Sequence, residues 1–84
     1  MQLPTQPITL TVEQIGELNR KLSSMRHDVN NQLSLIIAAV ELIRHKPDTA
    51  ERMMNTLVEQ PPRVADALAK FSVEFERTLG IVRR

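Results

Sequence analysis

Apolar residues recur every seven positions along most of the chain, and this period constrains the fold more than any other sequence feature. In the first long segment one apolar row is Ile15, Leu22, Val29, Ile36 and Ile43. A second row, at the complementary heptad position, is Leu18, Met25 and Ala39, with Gln32 as its one polar member. Rows spaced in this way are typical of a helix that packs along a narrow seam against another helix.

Helix-capping signals and proline predict where two long helices begin and end. Thr11 opens a capping-box pattern, and no proline follows it until Pro47, which cannot continue a helix. Asp48 opens a second capping-box pattern, and the helix after it is expected to end at Leu79, with Gly80 as its C-terminal cap. The chain then divides into a flexible N-terminal arm at 1–10, a dimerisation hairpin at 11–80 and a tail or linker stump at 81–84.

The second helix repeats the seven-residue period, although two consecutive prolines lie within it. One of its rows is Ala50, Leu57, Val64 and Phe71, and the other is Met54, Pro61, Leu68 and Phe75. Because the register is the same on both sides of Pro61 and Pro62, the pattern allows either a kinked helix or a break into two helices. Two long helices joined by a very short turn predict an all-α fold, an antiparallel two-helix hairpin.

The C-terminal half of the first helix is apolar beyond its seam, which predicts a second partner. Its additional apolar residues are Leu33, Leu35, Ile37, Val40 and Leu42. One hairpin cannot cover this widened surface, whereas two hairpins related by a two-fold axis can, as a four-helix bundle. An 84-residue chain is also short for a stable core of its own, so we expect a homodimer.

Composition removes several classes of function. The chain has no cysteine, which excludes disulfides and thiolate metal sites, and its two histidines are not spaced as a metal-binding pair, so no metal is expected. A net charge of +1 and an aromatic content of 2% give no basis for binding nucleic acid. No stretch has the length of a membrane span and no signal peptide is visible, so we expect a cytoplasmic protein.

His27 is the residue whose surroundings indicate chemistry. With Leu22 at the first heptad position, His27 falls opposite the seam, so its imidazole is expected to be exposed near the middle of the helix. Asp28 follows it directly, and Asn31 lies one turn further along the same face. A neutral imidazole nitrogen can attack a phosphoryl group, and an adjacent carboxylate can orient the ring and accept its other N–H.

Residues 27–31 read HDVNN, and they lie on a long heptad helix that is followed by a second long helix. This arrangement resembles the dimerisation and histidine-phosphotransfer domain (DHp, HisKA-like) of two-component sensor histidine kinases, in its H-D-x-N-N form. The resemblance covers Thr11 to about Leu79. Gln32 departs from it, because many members of the family have a proline at that position.

The resemblance implies a role for each polar residue of the motif. His27 would be the phosphoacceptor, Asp28 would orient and activate its ring, and Asn31 would bind a phosphoryl oxygen or an attacking water. The implied partners are an ATP-binding kinase domain, acting in cis or in trans, and the receiver domain of a response regulator, which takes the phosphoryl group on an aspartate. ATP and magnesium belong to that separate domain, so no cofactor is expected here and the chain alone is not an ATP-dependent kinase.

The family resemblance also predicts where the regulator docks. In the family the receiver domain contacts the first helix below the phosphoacceptor histidine, and the apolar residues Ile37 and Ala38 fall on the outer half of that region. We therefore predict a docking face that consists of Ser34, Ile37, Ala38 and Glu41. The alternative is that Ile37 closes the core of the dimer.

Other interpretations remain open at this stage. The chain is either a domain of a larger kinase or a free-standing phosphotransfer protein. It could instead be a structural helical-hairpin dimerisation adaptor in which His27 has no chemistry. A monomeric phosphotransfer protein is a further alternative, although such proteins usually contain four or five helices and this chain supplies two.

Overall fold

Two long helices and a short turn form most of the computed structural model, which describes residues 2–81. Helix α1 spans Val12–His45, a 3₁₀ turn spans Pro47–Thr49, and helix α2 spans Ala50–Leu79. The helices pack against each other in antiparallel directions, and residues 2–81 include no β-strand element. The predicted all-α hairpin is confirmed, while Met1 and residues 82–84, most of the predicted tail, lie outside the described residues.

Both outer ends of the hairpin are capped as the sequence predicts. The Thr11 hydroxyl oxygen accepts a hydrogen bond from the Gln14 amide at 3.0 Å, and the Gln14 side chain accepts one from the Thr11 amide at 2.8 Å. At the end of α2, Gly80 has a φ of 71°, a left-handed backbone conformation that residues other than glycine rarely adopt. These two caps fix the outer end of each helix.

The connection between the helices differs from the predicted one. Asp48 does not cap α2, because Pro47 opens a 3₁₀ turn that contains Asp48 and delays the start of the α-helix to Ala50. The Thr49 hydroxyl donates a hydrogen bond to the Lys46 carbonyl at 2.7 Å and so closes this turn. The capping-box interpretation of Asp48 is therefore wrong.

Helix α2 is continuous through Pro61 and Pro62, so the break into two helices does not occur. Gln60 precedes the prolines and is only 2% exposed, and its side-chain nitrogen donates a hydrogen bond to the Thr56 carbonyl at 2.8 Å. The two prolines are thus accommodated within a single helix.

The seam between the helices uses one of the two predicted apolar rows of α2. On α1 the partly or fully buried seam residues are Leu18, Leu22, Met25, Val29, Gln32, Ile36, Ala39 and Ile43, and Lys21 beside them is also partly buried. On α2 the seam residues are Ala50, Met53, Leu57, Gln60, Val64, Ala67, Phe71 and Glu74. Outside these rows Thr56, Ser72, Glu76, Thr78 and Leu79 are also partly buried. The row of Met54, Pro61, Leu68 and Phe75 is instead exposed. Ile15 is exposed as well, because it lies at the open end of the hairpin.

The hairpin has two flanks of different character, one on each side of the seam, although the polar side also exposes Leu35, Leu42 and Val73. The polar flank is Glu17, Arg20, Lys21, Ser24 and Asp28 on α1 with Arg63, Asp66, Lys70 and Glu74 on α2, which together line two cavities. The apolar flank is Leu33, Ile37 and Val40 on α1 with Met54, Val58, Pro61, Ala65, Leu68 and Phe75 on α2, all exposed. Helical spacing places these two sets on opposite sides of the seam.

Candidate functional site

His27 lies in the middle of α1, on the side that faces away from α2, and its side chain is 74% exposed. Its Nδ1 is 3.8 Å from Oδ1 of Asp28, which is slightly too long for a hydrogen bond. Nδ1 is the ring nitrogen nearer to this carboxylate, and Nε2 has no hydrogen-bond or ion-pair partner among the described residues. An exposed Nε2 is the nitrogen that an incoming electrophile can reach.

Asp28 lies at the point where the two cavities of the polar flank meet. It lines both the cavity of about 580 Å³ towards the open end of the hairpin and the cavity of about 400 Å³ towards the prolines. The other acidic residues of this flank, Glu17, Asp66 and Glu74, each lie within ion-pairing distance of a lysine or arginine. Within the described part of the chain Asp28 has no such cation, and His27 is the basic group beside it.

Asn31 is exposed one turn beyond His27, and nothing in the described residues holds its side chain. All members of the predicted docking face are exposed as well: Ser34, Ile37, Ala38 and Glu41. Ile37, at 63% exposure, also lies between Leu33 and Val40 in the apolar flank. The structure thus places Ile37 at the boundary between the predicted docking face and the apolar flank.

His45, the second histidine, provides an internal comparison. It lies in the last turn of α1, and its side chain is 76% exposed, nearly as much as that of His27. Its Nε2, rather than its Nδ1, faces a carboxylate, at 3.3 Å from Oε2 of Glu41. Arg44 shares that carboxylate at 3.4 Å. The two histidines therefore differ in the nitrogen that remains free and in the competition for the neighbouring acid.

The α2 side of the site was not predicted from the sequence. Arg63, Asp66 and Lys70 line the same cavity as Asp28, and their spacing of three and four residues places them on one side of α2. That spacing is the signal that could have identified a polar side. The residues of α1 that lie next to this polar side of α2 depend on how α2 is rotated about its axis in the hairpin.

Residues 2–81 contain neither a cluster of metal ligands nor a membrane-spanning helix. No three histidine, cysteine, aspartate or glutamate side chains of this part come together as metal ligands. None of its helices has the length and apolar character needed to cross a membrane. No protein-family model, curated protein or solved structure matches the chain.

Proposed function

We propose that the chain is a cytoplasmic phosphoacceptor and dimerisation module of a two-component system. It receives a phosphoryl group on His27 and passes it to an aspartate in the receiver domain of a response regulator. The observation that carries this proposal is the geometry of His27. The imidazole is exposed in the middle of a long helix, with Nδ1 towards Asp28 and Nε2 free.

The chemistry follows from this orientation of the ring. The lone pair of Nε2 attacks the γ-phosphorus of ATP held by a separate kinase domain, the N–P bond forms, and the P–O bond to ADP breaks. Asp28 accepts the proton of Nδ1 in a hydrogen bond and stabilises the positive charge that grows on the ring. In the second transfer the N–P bond breaks and a P–O bond forms to the regulator's aspartate.

Asn31 and the docking face complete the proposed site. The amide of Asn31, one turn from His27, donates to a phosphoryl oxygen or to the water that removes the group from the regulator. The exposed residues Ser34, Ile37, Ala38 and Glu41 then contact the receiver domain below the histidine. Exposed apolar residues close to a reactive group are a common feature of such contact surfaces.

The apolar flank is the surface by which two copies associate in this proposal. The α2 part of the flank runs from Met54 to Phe75, whereas the α1 part is confined to Leu33, Ile37 and Val40, in the half nearest the turn. On the same side of α1 the half nearest the open end carries polar residues: Asn19, Ser23, Arg26 and Asn30. The closest packing between the two copies is therefore expected near the turn, which leaves the His27 region accessible.

A structural adaptor is the alternative function, and a specific observation favours it. The apolar flank exposes apolar side chains on both helices, and dimerisation through it needs no chemistry at His27. A monomeric phosphotransfer protein is the less favoured alternative, because this flank would then stay exposed to water. The adaptor and the phosphotransfer module differ in the reactivity of His27.

Phosphoramidate, a small donor that phosphorylates histidine, tests this difference without a partner protein. Nε2 attacks its phosphorus, the P–N bond breaks, and the nitrogen leaves as ammonia. We expect an acid-labile, base-stable phosphate to form on His27 faster than on His45 of the same chain, and then to pass to an added receiver domain. Equal rates at the two histidines, or no phosphate on His27, would favour the adaptor.

A further inference from the structure

Gln32 is the one polar residue in the α1 rows that form the seam, and its side-chain oxygen is buried without a partner. Oε1 of Gln32 is fully buried and accepts no hydrogen bond among the described residues. A buried polar atom without a partner costs about 1–3 kcal/mol. An apolar residue at this heptad position would avoid that cost, so packing alone does not account for glutamine here.

The rest of the Gln32 side chain reaches the polar flank. Gln32 and Asp28 line the same cavity of about 400 Å³, on successive turns of α1. Nε2 of Gln32 is not among the buried atoms that lack a partner, and the structure shows no hydrogen bond from it to Asp28 or to any other described residue, so this donor is available. A glutamine amide and an aspartate carboxylate four residues apart on a helix are within hydrogen-bonding reach of each other.

We propose that Gln32 is a positioning residue for the phosphoacceptor and that it acts through Asp28. Nε2 of Gln32 donates a hydrogen bond to the carboxylate and holds it against Nδ1 of His27. The proton then stays on Nδ1, and Nε2 of His27 keeps the lone pair that attacks phosphorus. The inference rests on the proposed function and names a residue at which the chain departs from the family it resembles.

Gln60 offers a matched control for Gln32. It is also a seam glutamine with a buried Oε1 that accepts no hydrogen bond among residues 2–81, but its nitrogen already donates to the Thr56 carbonyl. It does not line the cavity that contains Asp28. Substitution of Gln60 therefore changes the polarity of the seam without changing the surroundings of Asp28.

Gln32→Met and Gln60→Met separate positioning from packing. Methionine keeps the length of glutamine and removes the donor, and both variants should be at least as stable to heat as the wild type because the seam becomes more apolar. We expect Gln32→Met to slow phosphorylation of His27 by phosphoramidate by about tenfold, the lower end of what partners of a reactive histidine contribute. Gln60→Met should react at the wild-type rate.

The ¹⁵N chemical shifts of the two imidazole rings report which ring nitrogen carries the proton, and a change in seam packing alone should not alter this. At a pH where both rings are neutral, the wild-type His27 should carry its proton mainly on Nδ1, and Gln32→Met should shift it towards Nε2. His45 should be the same in both proteins. A wild-type rate and an unchanged tautomer in Gln32→Met would overturn the proposal.

The same measurements distinguish failure of this inference from failure of the proposed function. If His27 reacts no faster than His45 in the wild type, phosphotransfer fails, whatever Gln32 does. If His27 reacts faster and Gln32→Met leaves both rate and tautomer unchanged, only the positioning role fails. Equal slowing in Gln32→Met and Gln60→Met would assign the effect to the seam and would also overturn the positioning role.

Discussion

The two flanks of the hairpin carry different kinds of surface, although the same two helices form both. The polar flank contains charged residues of both signs, and most of its acids are paired locally on their own helix. The apolar flank contains exposed aliphatic and aromatic side chains along the length of α2. In a monomeric hairpin the apolar flank would stay exposed to water, which is unusual for so many neighbouring apolar side chains.

The proposed function assigns association to the apolar flank and chemistry to His27 and to Asp28 of the polar flank. In the proposed dimer, burial of the apolar flank against another copy would supply the hydrophobic free energy that an 84-residue hairpin lacks by itself. The carboxylate beside His27 belongs to the other flank, so a second copy on the apolar side does not cover it. Substitutions on the two flanks should therefore have independent effects.

The largest expected effect is the loss of the phosphoacceptor. His27→Gln should abolish the acid-labile phosphate formed by a kinase domain, and with phosphoramidate it should leave only the slower reaction of His45, because the amide has no equivalent nucleophilic nitrogen. The mass of the assembly in sedimentation should not change, since His27 faces away from the seam and both flanks. His45→Gln is the matched control and should still accept phosphate. Phosphate that a kinase domain still transfers to His27→Gln would assign acceptance to another residue.

Leu68→Asp, on the apolar flank, should weaken the dimer. Leu68 is 47% exposed in the single hairpin, and an aspartate there would be buried unpaired between two copies. We expect dimer affinity to fall about 10³-fold, measured by sedimentation, with the helix content retained. Ala69→Asp adds the same charge on the outer surface of α2 and should leave the dimer intact. A wild type that is monomeric, helical and cooperatively folded would contradict this prediction.

Asp28→Asn, on the polar flank, should slow phosphoryl transfer and leave the dimer unchanged. Asparagine cannot take up the proton or the positive charge of the ring, so phosphoryl transfer to His27 should slow by about 10²-fold, in the range of general acid–base effects. Asp66→Asn makes the same change on the same flank, at an acid that pairs with Lys70 at 3.1 Å, and should change the rate by less than about twofold. Equal slowing in both variants would indicate a general effect of charge.

The ends of the hairpin could be predicted because local rules determine them. The capping box at Thr11, the stop at Pro47 and the glycine cap at Gly80 each depend on a few neighbouring residues. The orientation of α2 could not be predicted in the same way. Met53 and Met54 are adjacent, and either could begin a seam row, because α2 is apolar on both sides of Leu57.

The orientation of α2 was not predictable because the row that packs in the seam, which begins at Met53, contains polar residues. That row contains Gln60 and Glu74, so a search for apolar heptads favours the exposed row that begins at Met54. The adjacency of His27 and Asp28 needs only the sequence, whereas the cavities beside Asp28 depend on which side of α2 faces α1. The candidate nucleophile was therefore predictable, and its neighbours on α2 were not.

The smallest expected effect concerns Ile37, the residue shared by the docking face and the apolar flank. Lysine at this position places a charge on a side chain that is 63% exposed in the single hairpin. We expect transfer from phosphorylated His27 to a receiver domain to slow by about tenfold, the cost of one peripheral apolar contact of roughly 1.4 kcal/mol. Sedimentation should show an unchanged dimer, because the long flexible lysine can direct its charge into water at the edge of the interface.

Two controls place Ile37 on one surface or the other. Ser34→Lys lies on the docking face and outside the apolar flank, so it should slow transfer and leave the dimer intact. Val40→Lys lies in the apolar flank and outside the docking face, so it should weaken the dimer. If Ile37→Lys behaves like Val40→Lys, Ile37 belongs to the dimer interface, and the docking face reduces to the polar side of α1. If it behaves like Ser34→Lys, the boundary between association and chemistry runs between Ile37 and Val40.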